Sequence, residues 1–155
     1  MLTAQDNTTL ARALYDAFNR RDFDKALAMM TDSVQWTNIP FGSTFSGRQG
    51  YRDYVSTWTT AMPDCKVEIV NVITTEEWAV AECIGRGTHT GPLAGPQGNI
   101  AATQKHVDLK FCEVLRLKDA QVTEGHVYFD AASLLRQLGL MPQVEGATQP
   151  APVAR

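Results

Sequence analysis

Apolar residues recur with the period of an α-helix in the first half of the chain. The residues of the first apolar face are Leu10, Leu14, Ala17 and Phe18. This spacing predicts a helix that begins near Thr8, with Asp6, Asn7 or Thr8 as its cap. Asp22 begins a second predicted helix, and Pro63 ends a third. The buried stripe of that third helix is predicted to be Tyr51, Tyr54, Val55 and Trp58.

The pattern changes to alternation in the second half of the chain, which is typical of strands with one buried face. Strands are predicted at 34–36, 66–73, 78–90, 105–117 and 121–129, and a short final helix at 131–138. The segments 38–47 and 91–104, which are rich in glycine and proline, are predicted to be loops. Helices followed by a run of antiparallel strands predict an α+β fold with the helices on one face of a sheet.

Composition narrows the class of protein. The 155 residues include 14 Lys and Arg against 17 Asp and Glu, and no basic stripe is present, so nucleic acid is not an expected partner. Mean hydropathy is -0.21, and no targeting or membrane-spanning segment is apparent. We expect one domain at 1–142, a flexible tail at 143–155, and a cytoplasmic location. The cysteines lack metal-ligand spacing and are predicted to be reduced core thiols, with no bound metal.

One predicted strand carries an acid on its buried face. Odd positions from Val107 to Leu117 are apolar, but Glu113 lies among them. If Asp119 and Ala120 form a two-residue turn, paired residue numbers sum to 239. Glu113 then faces His126, Phe111 faces Tyr128, and Leu109 faces Asp130. This register predicts a pocket lined by two acids, an imidazole and a phenol.

Each candidate residue also has a structural interpretation. Glu113 and His126 could form a buried ion pair, and Asp130 could cap the helix that follows it. Tyr128 could be a packing residue. Further candidates for substrate binding are Tyr15, Asn38, Trp58, His89 and Phe111. Of these, Tyr15 and Trp58 could simply be core residues, Asn38 a turn residue, and His89 a structural histidine.

Several short segments together resemble the SnoaL-like polyketide cyclases, also called ester cyclases, of the nuclear transport factor 2-like superfamily. The matching segments are Leu-Tyr-Asp-Ala-Phe-Asn at 14–19, Ala-Met-Pro-Asp at 61–64, Gly-Thr-His-Thr-Gly at 87–91, Leu-Arg-Leu-Lys-Asp at 115–119 and Gln-Leu-Gly-Leu at 137–140. The resemblance implies a cone-shaped barrel, a curved sheet wrapped around helices with a deep apolar pocket, and a homodimer formed through the outer face of the sheet.

The resemblance also implies a chemistry. Family members of this kind close rings by aldol condensation, with an aspartate as general acid or base and no metal or organic cofactor. Asp130 matches the place of that aspartate. His126 stands where the family has a tryptophan, Ala120 replaces a turn glycine, and Gln104 replaces a loop glycine. Because the His126 change lies in the predicted pocket, the substrate of the family does not carry over with it.

We therefore expect a cofactor-independent enzyme that acts on a small hydrophobic carbonyl compound by cyclisation or isomerisation. Asp130 is the predicted base, since an aspartate among apolar side chains has a raised pKa. Tyr128, Tyr15 and protonated His126 are the predicted donors, with Glu113 holding His126 in its charged form. Two alternatives remain open. One is an epoxide-type hydrolase, which requires Arg86 or Arg116 to point inward, and the other is a non-catalytic binder of small apolar ligands.

Overall fold

Four helices and eight strands make up the part of the chain that the computed structural model describes, residues 3–142 and 146. In chain order they are α1 (Ala4–Asn19), α2 (Phe23–Ala28), β1 (Met30–Asn38), β2 (Ser43–Ser46), α3 (Gly47–Ala61), β3 (Lys66–Thr74), β4 (Trp78–Thr88), β5 (Leu93–Gly95), β6 (Gly98–Ile100), β7 (His106–Lys118), β8 (Gln121–Phe129) and α4 (Ala131–Gln137). The predicted tail at 143–155 lies outside the described residues except for Gly146.

The strands form a mixed sheet in the order β2-β1-β8-β7-β4-β3. All neighbours are antiparallel except β1 and β8, which are parallel. The sheet is curved, and helices α1 and α3 pack against its inner face. The α+β prediction is therefore confirmed. The sheet is not closed into a barrel, because β2 and β3 are its free edges.

The first helix begins earlier than its apolar pattern predicts. Thr3 is the N-cap, and it exchanges hydrogen bonds with Asp6 in a capping box. The predicted caps are therefore wrong. Asn7 lies inside the helix, where its buried amide donates to the carbonyl oxygens of Thr75 and Glu76 at 2.8 and 3.0 Å. This contact ties α1 to the turn between β3 and β4.

Short strands occupy segments predicted as loops. Strand β1 begins at Met30, four residues before the predicted strand at 34–36, and β2 pairs with it across the predicted loop at 38–47. Strands β5 and β6 form a separate hairpin inside the segment 91–104. Pairings as short as three residues have too few alternating positions to be distinguished from loops in the sequence.

On the inner face of the sheet, Trp36 packs across Gly125 of the neighbouring strand. The indole lies against the rings of Tyr51 and Tyr54 on its other side, with centroid distances of 4.7 and 5.7 Å. A Cβ atom at Gly125 would lie 2.5 Å from Cε3 of Trp36. Glycine is required here by the close approach of the ring.

Gly125→Ala is expected to lower the free energy of unfolding by about 1–3 kcal/mol, the range typical of overpacked cores. Chemical denaturation measures the change. In a Trp36→Leu background the clashing ring atoms are absent, so the cost of the same substitution should shrink. An undiminished cost in that background would show that the indole is not the cause.

The outer face of the sheet carries charged pairs and a few exposed apolar side chains. Arg86 contacts Asp108 at 3.1 Å, and Arg116 contacts Glu124 at 3.3 Å. The exposed apolar and aromatic residues of this face are Val70, Ile73, Trp78 and Tyr128. No helix within residues 3–142 is long and apolar enough to cross a membrane.

Candidate active site

Glu113 lies on the inner face of β7 and is only 4% exposed. Tyr15 of α1 donates a hydrogen bond to its Oε2 at 2.6 Å. Tyr54 of α3 donates to its Oε1 at 3.2 Å. Ala81, opposite Glu113 on β4, leaves room for these two phenols to approach. Each carboxylate oxygen is thus held by a donor from a different helix.

Burial sets the protonation of this group. Loss of water around Glu113 raises its pKa to about 7, although the two phenol hydrogen bonds act in the opposite direction. The pKa values of Tyr15 and Tyr54 are raised well above their usual range, first by burial and then by the charge of Glu113. Near neutral pH the carboxyl can therefore gain or lose a proton, while both phenols remain donors.

A cavity of about 80 Å³ opens beside this carboxyl. Its wall is mostly aromatic and aliphatic, and its charged side chains are Glu113 and Lys66. The Lys66 ammonium is bound to the main-chain oxygen of Asn19 at the end of α1. The predicted binding residues Tyr15, Trp58 and Phe111 line this cavity. Their roles toward a substrate stay predictions.

The predicted register between β7 and β8 is wrong beyond the turn. The two-residue turn is confirmed, with positive φ at Asp119 and Ala120, and Leu117 pairs with Val122 as predicted. A β-bulge at Thr123 then adds one residue to β8, so Arg116 pairs with Glu124. Every later pair is shifted by one.

This shift turns His126 and Tyr128 to the outer face. Glu113 pairs with Val127, and His126 pairs with Val114 instead. The only carboxylate that His126 approaches within the described residues is that of Glu124, at 4.0 Å. Tyr128 is 44% exposed. The predictions that Glu113 and His126 are neighbours, and that His126 and Tyr128 line the pocket, are therefore wrong.

Asp130 does not line the cavity, because it caps α4 at the surface. Its Oδ1 accepts from the backbone of Ala132 at 2.9 Å, and its Oδ2 accepts from the hydroxyl of Ser133 at 2.7 Å. The Ser133 hydrogen bond is the main cause of a lowered pKa for Asp130. A lowered pKa in an exposed cap is the opposite of what a base at neutral pH needs, so its predicted placement is wrong.

Removing the Asp130 cap is expected to affect stability alone. Asp130→Ala should lower the melting temperature by a few degrees, because it leaves the first turn of α4 without an acceptor. Asp130→Asn keeps an acceptor at the same position and should lose less. Differential scanning calorimetry of the two variants measures the difference. Equal melting temperatures for wild type and Asp130→Ala would contradict the capping role.

Asn38 and His89 also lie away from the cavity. The side-chain oxygen of Asn38 accepts from the backbone of Phe41 at 3.2 Å, which makes it a turn residue. His89 is buried, and its Nδ1 accepts from the backbone N–H of Thr103 at 3.2 Å. That bond joins the end of β4 to the segment before β7. Asn38 is therefore a turn residue and His89 a structural histidine, which are the structural alternatives given for them above.

Sequence reasoning placed Tyr54 in the helix core but missed its link to Glu113. A signal was available, because a buried phenol needs a hydrogen-bond partner, and Glu113 was an acid predicted on the buried face of its strand. The inward arginine needed for an epoxide-type hydrolase is absent among the described residues. Both Arg86 and Arg116 form their ion pairs on the outer face of the sheet.

The curved sheet over N-terminal helices is shared with solved structures of the nuclear transport factor 2-like fold. A sequence model described as SnoaL-like polyketide cyclase matches residues 8–138. The chain therefore belongs to the family of SnoaL-like polyketide cyclases. No curated protein matches the chain by sequence.

Solved structures share this fold at low identity. A proposed SnoaL-like polyketide cyclase from Jannaschia sp. CCS1 is 18% identical, with a TM-score of 0.80 over 92% of this chain and 97% of that one. AclR from Streptomyces galilaeus, a proposed hydroxylase, is 20% identical, with a TM-score of 0.76 over 93% and 87%. An NTF2-like protein from Burkholderia pseudomallei K96243 is 24% identical, with a TM-score of 0.70 over 86% and 97%.

Proposed function

We propose that this chain is a cofactor-independent SnoaL-type enzyme that uses Glu113, not Asp130, as its general base. The observation that carries the proposal is a buried carboxyl with a pKa of about 7 beside an apolar cavity. The substrate class is a small hydrophobic carbonyl compound, and the reaction is one that begins with loss of a proton beside the carbonyl, such as aldol cyclisation or isomerisation.

The hydrogen bonds from the two tyrosines to Glu113 differ in length, and this suggests different roles. Tyr15 makes the shorter bond, at 2.6 Å, and fixes the orientation of the carboxylate. Tyr54 makes the longer one, at 3.2 Å. We propose that a bound carbonyl oxygen takes over the Tyr54 hydrogen bond, so that this phenol stabilises the enolate that forms as Glu113 accepts the proton. The protonated Glu113 then returns the proton to the product.

Exchange of hydrogen for deuterium next to a ketone tests this proposal without knowledge of the natural substrate. The probes are cyclohexanone and 2-tetralone in D₂O, followed by NMR. The wild-type rate should rise as pH increases through about 7, because Glu113 acts only when ionised. Binding of the ketones with no acceleration of exchange would favour the non-catalytic binder instead.

We also propose that the chain forms a homodimer through the outer face of the sheet. Val70 and Ile73 are 60% and 58% exposed there, beside Trp78. Light scattering should give about 34 kDa, twice the chain mass of 17.1 kDa. Ile73→Lys should shift the protein toward the monomer, whereas Asp130→Asn, which lies outside these apolar positions, should not. A wild-type mass of one chain would overturn the proposal.

A cytoplasmic location remains part of the proposal. The three cysteines are free, and Cys65 and Cys83 are buried. Burial raises the pKa of both thiols, so they remain protonated and unreactive at neutral pH. Reduced thiols of this kind support a reducing compartment.

A further inference from the structure

Glu113 is a buried acid without a cationic partner. Within residues 3–142, no Lys, Arg or His nitrogen forms a salt bridge with it, and its hydrogen-bond partners are the neutral phenols of Tyr15 and Tyr54. Lys66 also lines the cavity, but its ammonium is bound to the Asn19 carbonyl oxygen. Once ionised, the carboxylate is therefore a buried charge with no salt-bridge partner among the described residues.

The cavity beside this carboxylate has a wall rich in aromatic rings. Its rings besides Tyr15 are Phe18, Tyr51, Tyr54, Trp58, Phe111 and Phe129. Trp58 and Phe129 are 5.6 Å apart between ring centroids in an edge-to-face arrangement, so these two rings of the wall pack against each other. Aromatic faces attract organic cations, and the attraction grows when the cation is removed from water.

We propose that this cavity binds a small hydrophobic organic cation, with its quaternary or tertiary ammonium against Glu113 and its alkyl groups against the aromatic wall. A hydrated metal ion or a bare ammonium would not use the apolar wall, whereas a neutral alkyl group would leave the carboxylate unpaired. The inference goes beyond the proposed function, since it needs only the charge and the wall of the cavity. It also implies that such cations compete with ketones for the site.

Proton release gives this binding a signature. The titratable groups that face Glu113 are Tyr15 on α1, Tyr51 and Tyr54 on α3, and Cys83 on β4, and burial raises the pKa of each. All four stay neutral between pH 6 and pH 8. Glu113 is then the one group of this cluster that changes charge in that range. A cation that binds at pH 6 should displace nearly one proton from Glu113 to the buffer.

The experiment compares choline with 3,3-dimethyl-1-butanol, which has carbon in place of the charged nitrogen and otherwise the same shape. Isothermal titration calorimetry at pH 8 should give choline a Kd at least about tenfold lower than that of the alcohol. Titration at pH 6 in buffers of different ionisation enthalpy should show proton release with choline and none with the alcohol. Glu113→Gln should remove both the preference and the proton release.

Two further variants separate the possible outcomes. Phe111→Leu keeps Glu113 but removes one ring, and should weaken choline more than the alcohol. Asp130→Asn removes a surface carboxylate and should change neither. Equal affinities for the two probes in the wild type would overturn the cation inference and leave the proposed ketone chemistry standing. Binding of neither probe, together with no ketone exchange, would overturn both.

Discussion

Glu113→Gln is expected to slow deuterium exchange of 2-tetralone by about 10² to 10⁴, the range typical of removing a general base. Glutamine is close in shape to glutamate and keeps an oxygen that can accept a hydrogen bond from Tyr15 or Tyr54. It cannot accept a proton from carbon at neutral pH. NMR of the ketone in D₂O, at pH 8 with saturating substrate, measures the ratio of the two rates.

Two matched variants test whether the lower exchange rate is caused by removal of the base. Tyr54→Phe removes the proposed enolate donor, so its rate should fall. Its pH profile should still follow the ionisation of Glu113, but at higher pH, because the lost hydrogen bond lowers the pKa of Glu113. Asp130→Asn, at the cap of α4, should exchange at the wild-type rate. If Asp130→Asn lost activity and Glu113→Gln kept it, the assignment of Glu113 as the base would be wrong.

The same Glu113→Gln substitution is expected to stabilise the fold at alkaline pH. The pKa of Glu113 is raised from 4.5 to about 7, because burial disfavours the charged form. The folded state therefore holds this proton more tightly than the unfolded state, and stability falls as pH rises from about 4.5 through 7. Above that range the full cost is about 3 kcal/mol. Glutamine does not ionise and avoids it.

Urea denaturation of both proteins from pH 4 to pH 9 measures this effect. The difference in the free energy of unfolding between variant and wild type should be near constant below pH 4.5. It should grow in favour of the variant up to pH 8. Using the difference cancels every other titrating group. A difference that did not change with pH would mean that Glu113 ionises as easily in the folded state as in the unfolded one.

Much of the fold followed from periodicity alone. Helix α3 and strand β7 were predicted with their buried faces, because each is long enough to repeat its pattern several times. Glu113 could be singled out for the same reason, since it interrupts a regular apolar face. The strands β2, β5 and β6 could not be predicted, because they are too short to show a period.

The position of His126 could have been corrected from the sequence. The buried apolar positions of β8 are even at Val122 and odd at Val127. A change of parity within one strand indicates a bulge, because an added residue exchanges the two faces. The predicted register was chosen from the polar residues of β8 and not from its apolar ones, so it placed His126 on the wrong face of the sheet. Burial of the apolar side chains contributes more free energy than contacts among the polar groups, and it therefore determines the register.

Asp130 shows what the sequence left open. Its suitability as a cap for α4 and its match to the family aspartate were both visible before the structure. Which role holds depends on where the end of β8 lies relative to the cavity, and this is fixed by the packing of elements distant in sequence. The hydrogen bonds that Asp130 accepts at the start of α4 show that it caps this helix at the surface.

The bulge at Thr123 allows the hairpin of β7 and β8 to change in length without moving the cavity wall. The residues of β8 that line the cavity, Val127 and Phe129, lie beyond it on the same strand. Deleting Thr123 would convert the hairpin into a regular ladder while Arg116 continues to pair with Glu124, so the wall would not move. The hairpin can thus lose one residue in evolution, or regain it, without altering what the cavity admits, and such a change alone would not mark a new specificity.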